Sequence, residues 1–365
     1  MRTVTIGCMS IVILLTGCAA EEVQNDQETE NNQEEHVQAE TEETSITIGA
    51  AGDVLLHGRV YKRMEENGEY NFAPALENVT SLLEEPDFTI VNQESIPGGE
   101  DLGLSAYPSF NSPFAIVDAL QDAGVDMVSS ANNHTLDRGM EAIHNAVSYY
   151  EEIGMDYVGV YKDDEDAASP RIVTVDGINI GMLSYTYGLN GYTVPDGHEY
   201  AVQVIDQEVI REDVRNMKDE VDVLMVNMHW GTEYERLPNE EQKELAAFLA
   251  DEGVDVVIGH HPHVLQPMEW VKGKEGNQTL VYYSLGNFYT GQDQKYTDTG
   301  GVATFEVEKE EDETIISEPN IDFTQVVPGP ENEYIVKPMA EADHIPNGGE
   351  TEEELRDHVY QWIEE

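Results

Sequence analysis

The chain has 365 residues, enough for one large α/β domain or two small ones, and sets 18 Lys and Arg against 74 Asp and Glu, a formal net charge of −56. Charge of that sign and size excludes a general binder of nucleic acid or anionic lipid. Self-repulsion on this scale needs screening by salt, which points to a saline or alkaline exterior.

Residues 1–17 read as a signal peptide. Arg2 precedes an apolar stretch from Ile11 to Leu15, too short to span a bilayer, and small residues follow in Leu15-Thr16-Gly17-Cys18. This end resembles the bacterial lipobox, which implies that Cys18 is lipidated, becomes the mature N-terminus and anchors the chain to the outer face of the membrane. Cys8 would be discarded, so any metal must be held by His, Asn and carboxylates. Residues 18–44 read as an acidic disordered tether: between Ala19 and Thr44, ten acids face no Lys or Arg and almost nothing is apolar.

The main domain is expected over 45–340. Ser45 to Ala51 alternates and runs into Gly52-Asp53, a first strand delivering an acid to its edge. Asn71 to Leu83 reads as helical over its second half. Asp87 to Val91 is a strand ending in Asn92-Gln93-Glu94, and the Gly-, Pro- and Ser-rich stretch 95–112 reads as a surface loop. A helix over Pro113–Asp122 stops at Gly124, and the next strand ends in Asn132-Asn133-His134, with Asp137 close behind. Met140 to Ile153 is an amphipathic helix. Asp176-Gly177 joins two strands in a hairpin, and a loop with three tyrosines covers Tyr185 to Tyr192.

A helix over Val204–Asp219 leads to a strand from Asp222 that ends at His229-Trp230, with Glu233 beyond. Asn239 caps a helix that Gly253 closes. The β-branched run Val254 to Ile258 then ends in Gly259-His260-His261-Pro262-His263. A strand over Thr279–Tyr283 leads to Asn287. Strands follow at Gly301–Glu308, Thr314–Ser317, Ile321–Val327 and Tyr334–Pro338. Residues 341–365 read as a loop and a capped terminal helix packed on the domain, opened by Thr351 and Glu354.

Six apolar runs therefore end in groups that bind metals or move protons: Asp53, Glu94, Asn133 with His134, His229, His261 with His263, and Asn287. In α/β sheets, ligands sit beyond the carboxyl ends of the strands. Two carboxylates, three imidazoles and an amide oxygen suit Mn, Zn or Fe(II) better than Ca or Mg. Six ligands exceed what one catalytic ion needs, so a carboxylate-bridged pair of divalent ions is expected.

The blocks Gly52-Asp53, Asn92-Gln-Glu94, Asn132-Asn-His134-Thr-Leu-Asp137-Arg-Gly139, His229-Trp-Gly-Thr-Glu-Tyr234, Gly259-His-His-Pro-His263 and Ser284-Leu-Gly-Asn-Phe288 resemble the CapA (PgsA) family of poly-γ-glutamate capsule biosynthesis, related to the calcineurin-like metallophosphatases. The resemblance implies an α/β fold, a metallophosphatase-like αββα sandwich of two mixed β-sheets flanked by helices. It implies one metal on Asp53 and His263, a second on Asn133, His229 and His261, and Glu94 between them. His134 would protonate a leaving group with Asp137 as its partner. Asn92, Asn132, Trp230, Glu233 and Asn287 would support the ligands or the substrate. The metallophosphatases' first box is Asp-x-His, whereas here Leu55 takes the third position and the nearest histidine is His57.

The implied role is a lipid-anchored capsule protein of the outer surface, working with the membrane components of the polyglutamate synthase. A secreted phosphoesterase and a non-catalytic accessory subunit are the competing readings.

Overall fold

Four aspartates organise the sheets. Asp87, Asp126, Asp222 and Asp255 each stand one residue before an apolar run. Each accepts, at 2.7–2.8 Å, the backbone N–H of a residue at the start of the neighbouring parallel strand: Thr47, Thr89, Asn179 and Leu224 respectively. Their own N–H groups donate back to the carbonyls of the same four residues. Each strand is thus clasped to its neighbour at the amino end, which fixes register and leaves the carboxyl ends free to carry chemistry.

The computed structural model describes residues 44–310, 313–330 and 333–363, so the expected signal peptide, Cys18 and the tether lie outside the described residues. The strands are β1 (Thr44–Leu55), β2 (Phe88–Gln93), β3 (Met127–Ser129), β4 (Asp156–Val158), β5 (Ile172–Val175), β6 (Ile178–Thr186) and β7 (Val223–His229). They continue as β8 (Val256–His260), β9 (Met268–Lys272), β10 (Gln278–Tyr282), β11 (Asn287–Thr290), β12 (Thr299–Glu310), β13 (Glu313–Pro328) and β14 (Tyr334–Pro338). One mixed sheet of eight strands runs β14-β13-β12-β1-β2-β3-β4, with β11 beside the end of β1. A second mixed sheet of six runs β9-β10-β8-β7-β6-β5.

Alternation along each strand decides the layers. Ile46, Ile48 and Ala50 of β1, with Ile90 and Met127, meet Ile180, Met182, Met225, Val256 and Ile258 of the other sheet in one buried core. The outer face of the first sheet packs on helices α1 (Ala115–Asp122) and α2 (Gly139–Ile153) through Val117, Leu120, Ile143 and Val147. Leu224, Val226 and Val257, on the outer face of the second sheet, pack on α3 (Gln207–Met217) and α4 (Glu240–Glu252). This is the αββα sandwich. Helix α4 carries the expected cap at Asn239, which Gln242 completes into a capping box, and ends on left-handed Gly253. The terminal helix α5 (Glu352–Val359) buries Leu355 and Val359 against the inter-sheet core.

Three expectations change. Thr314–Ser317 and Ile321–Val327 form one long strand, β13, whose irregular point at Glu318 (φ 48°) reads locally as a break. Strands β4, β9 and β11 carry no pattern strong enough to predict, being three to five residues long and fixed by their partners. The loop 95–112 is not a surface excursion throughout: Ser95 to Gly99 and Phe110 to Ser112 are buried. Among the described residues no helix is long and apolar enough to cross a membrane.

Candidate metal centre

The carboxyl ends of β1, β2, β3, β7 and β8 meet at one place. Asp53 lies in the last turn of β1, where Gly52 before it allows close passage of the 285–286 backbone: a Cβ on Gly52 would stand 2.3 Å from the Gly286 carbonyl oxygen. Asn92 Nδ2 donates to Asp53 Oδ1 at 2.8 Å. His260 Nδ1 stands 3.2 Å from Asp53 Oδ1, and His263 Nδ1 stands 3.1 Å from Asp53 Oδ2. Glu94, directly after β2, presents Oε1 3.6 Å from His229 Nε2 and 3.7 Å from His263 Nε2. His229 Nε2 lies 2.9 Å from Asn133 Oδ1.

Two overlapping groups result, each with ligand atoms within 4.8 Å of one another: Asp53, Glu94 and His263, and Glu94, His229 and His261. Glu94 is common to both. Glu233, exposed at the rim, forms a third group with His261 and His263. Donor atoms about 2.0–2.2 Å from one ion stand roughly 3–3.5 Å apart, so the 2.9 Å between His229 Nε2 and Asn133 Oδ1 and the 3.1 Å between His263 Nδ1 and Asp53 Oδ2 are close to what shared coordination requires.

The donor set also fits a cation by what it lacks. Both Glu94 oxygens, His229 Nδ1 and His261 Nδ1 are buried with no hydrogen-bond partner, a costly arrangement in a protein interior. Burial drives the Glu94 carboxyl well above the ordinary range and drives His229 well below the ordinary imidazole value. Burial also lowers His261, to about 3, helped by His263. At His263 burial acts downward, but the Glu94 and Asp53 carboxylates outweigh it and push it up to about 9. At Asp53 the partners His260 and His263 overcome burial and hold the acid well below its usual range. A cluster this sealed and this mismatched in charge is what a divalent ion would reconcile. The backbone agrees: His261 (φ 96°) and His263 (φ 59°) adopt left-handed conformations that non-glycine residues rarely hold.

His134 stands beside this centre. Its Nδ1 lies 2.7 Å from Asp137 Oδ2, which also accepts the Phe110 N–H at 2.7 Å. Asn132 supports the loop, its Oδ1 accepting the His134 N–H and its Nδ2 donating to the Gln93 carbonyl. Asn287 places Oδ1 3.2 Å from His263 Nδ1 and donates to the Thr297 carbonyl at 2.7 Å. A cleft of about 380 Å³ opens on the centre, lined among others by Leu55, His57, Phe110, His134, Glu233, Tyr234 and His263. Leu55 forms cleft wall, and His57 sits with its ring edge-on to Phe110.

Trp230 does not reach the cleft. It is buried in the outer layer, donates Nε1–H to the Tyr283 carbonyl at 2.9 Å and packs with the helices. Its expected place near substrate is corrected: as the strand ends, the side chain after His229 points to the opposite face.

Two neighbours went unforeseen. Tyr187 lays its ring 4.6 Å from that of His261, and Asn190 accepts from Asn133 Nδ2 while reaching toward His134. Both sit in the tyrosine-rich loop after β6. The signal was its position at the carboxyl end of a strand adjacent to β7.

Fold and centre together define a class: a two-sheet α/β protein whose strand ends gather buried imidazoles and carboxylates able to hold divalent cations. Residues 47–292 match the family described as "Bacterial capsule synthesis protein PGA_cap", and the chain belongs to that family. It is 28% identical over 262 residues to "Capsule biosynthesis protein CapA" of Bacillus anthracis, covering 69% of this chain and 61% of that one. It is 30% identical over 194 residues to "PGA biosynthesis protein CapA" of Bacillus subtilis (strain 168), covering 53% and 50%. The chain thus spans half to three-fifths of the length of these curated relatives. Among solved structures it is similar to "calcineurin-like phosphoesterase YfkN" from Bacillus subtilis, with 15% identity, a TM-score of 0.45, and 87% of this chain and 96% of that one covered. That likeness transfers no chemistry.

Proposed function

We propose that this chain is a membrane-anchored, divalent-metal-dependent protein of poly-γ-glutamate capsule biosynthesis or export, whose centre acts on a phosphoryl or amide group. Membership of the capsule family and the printed roles of the two relatives support the pathway. One observation carries the metal-dependent part: Glu94 is fully buried, bears two oxygens without a partner, and lies between two sets of imidazoles.

Asp53 and His263 would hold one ion, Asn133, His229 and His261 a second, with Glu94 shared. Bound ions of this kind supply an activated water and neutralise charge on a displaced oxygen. The chain's own residues do the rest. Asp137 fixes His134 with its Nδ1 proton engaged, leaving Nε2 as the nitrogen free to exchange a proton with a ligand in the cleft. Asn132 holds the backbone of His134, so ring and ligand Asn133 keep their relative placement. Phe110, its ring 4.7 Å from that of His134, walls that side against water. Anchoring through a lipid on Cys18 and contact with membrane synthase components complete the proposal.

The test uses full-length protein purified without chelator. Its metal content is measured beside that of His261→Ala, and turnover of phosphodiesters with added Mn beside that of His134→Ala. Bound metal, lost in His261→Ala, with turnover lost in His134→Ala is the expected result. Metal bound with no turnover on any phosphoester would leave an accessory role instead.

A further inference from the structure

We propose that the cavity at the open edge of β6 is a second ligand site, which binds a small primary amine through the Asp213 carboxylate. It encloses about 260 Å³, between the segment Ala167 to Arg171, the stretch Met182 to Tyr185 of β6, and Asp213 and Met217 of α3. None of its lining residues lines the cleft on the histidines, so the site is separate from the metal centre and rests on no reading of that centre's chemistry.

Four consecutive residues of a strand line one cavity only through the strand's edge, because successive side chains point to opposite faces. Here that edge is open for one residue. Met182 N–H donates to the Arg171 carbonyl at 2.8 Å, just before β5 begins. Further on, Thr186 N–H donates to the Gln203 carbonyl at 3.0 Å, and the Thr186 carbonyl accepts the Ile205 N–H at 2.8 Å. The two-residue period places the Ser184 N–H and carbonyl on the same edge, between these closures, and neither segment bonds to them. A gap closed at both ends excludes an added strand and admits a small molecule.

Charge selects the ligand. Arg171 and Asp213 are the charged residues of the lining. The guanidinium is already engaged: it pairs with Asp166, donates to the Tyr157, Asp166 and Ser169 carbonyls, and lies 4.8 and 5.0 Å from the centroids of the Tyr157 and Tyr161 rings. Asp213 has no such cation. Its Oδ2 accepts the Tyr185 hydroxyl at 2.7 Å, while Oδ1 has no hydrogen-bond partner among the described residues. Burial raises its carboxyl above the ordinary value against the pull of Tyr185, and the Glu212 charge adds to the rise; a bound cation would reverse it. Met182, Leu183 and Met217 supply apolar wall. One carboxylate beside such a wall offers too few oxygens for Ca or Mg, and the engaged arginine leaves little for an anion. An ammonium on a short aliphatic body matches: its donors suit Asp213 Oδ1 and the Ser184 carbonyl, and its methylenes suit the wall.

The experiment titrates n-butylamine, protonated at neutral pH, into the full chain and follows saturable binding by ligand-observed NMR, with n-butanol and butyrate as neutral and anionic counterparts. The amine is expected to bind about tenfold or more tightly than butanol, and butyrate not at all. Asp213→Asn keeps an oxygen for the Tyr185 hydroxyl and is expected to weaken the amine by about tenfold or more. Ala167→Leu keeps the carboxylate but fills the cavity, and is expected to abolish binding. Glu244→Gln, which removes an exposed acid of α4 outside the lining, is expected to change nothing. Unchanged melting temperatures exclude a folding defect, and should Asp213→Asn fail to fold, Ala167→Leu decides. No saturable binding to the unaltered chain overturns the site. So does affinity no better than butanol's, or binding that survives Asp213→Asn or Ala167→Leu. Equal weakening in Asp213→Asn and Glu244→Gln also overturns it, because the amine would then be answering only the chain's general negative charge.

Discussion

Glu94→Gln separates a metal ligand from a structural acid. In the metal-free protein Glu94 has two effects that oppose. Its carboxyl is fully buried with both oxygens unpartnered, which is unfavourable; its charge attracts His263, whose Nε2 lies 3.7 Å away, which is favourable. Glutamine keeps the shape, removes the charge and leaves the same two polar positions, each costing about 1–3 kcal/mol when unpaired in either protein. The metal-free variant is therefore expected within about 1 kcal/mol of wild type. Binding behaves differently. Mn at a hundred times its dissociation constant adds about 2.7 kcal/mol to wild type. At roughly 2 °C per kcal/mol for a large domain, that is a rise of about 5 °C in melting temperature. Glu94 belongs to both ligand groups, so the variant is expected to lose most of this rise. Thermal denaturation with chelator and with graded Mn reads both numbers. A variant that keeps the full Mn-dependent rise refutes the shared-ligand role. A metal-free variant weaker by more than about 3 kcal/mol makes Glu94 a structural residue.

Other predictions follow from single contacts. Asp137→Asn retains an oxygen that can accept from Phe110 N–H and His134 but loses the charge behind the imidazole; turnover is expected to fall by about 10²–10⁴ with less than about 1 kcal/mol of stability lost, whereas Asp137→Ala also strands the buried Phe110 N–H and loses about 1–3 kcal/mol more. Urea denaturation beside turnover distinguishes them. Burial raises Asp255 to about 6, from an ordinary value near 3.8, while the Leu224 N–H acts in the opposite direction. A raised folded-state value contributes stability that is present below the unfolded value and lost as pH rises through 6. Asp255→Asn keeps an oxygen for Leu224 N–H, so its stability relative to wild type is expected to improve by about 1–2 kcal/mol between pH 4 and pH 8. A flat difference across that range counts against burial having raised the Asp255 value. Gly52→Ala forces a Cβ to within 2.3 Å of the Gly286 carbonyl oxygen. It is expected to displace Asp53 and lower metal affinity at least tenfold while far-UV dichroism stays native, as calorimetric Mn titration would register.

Much of this protein can be read without a structure, because local physics decides it. An apolar run ending at Asp53, Glu94 or His229 names both a strand and its carboxyl end, and in each of the two mixed sheets the parallel neighbours gather those ends along one edge. Caps at Asn239 and Thr351, and the Asp176-Gly177 turn, act within four residues and behave as expected. What the chain order cannot convey is which loop folds back over that edge. Tyr187 and Asn190 reach the histidines from the second sheet, and Phe110 reaches His134 from a stretch whose composition says only loop. Trp230, adjacent to His229 in sequence, faces the opposite layer. Short-range propensity fixes which residues end a strand; only the packing of distant segments, which no local pattern encodes, decides what those residues face.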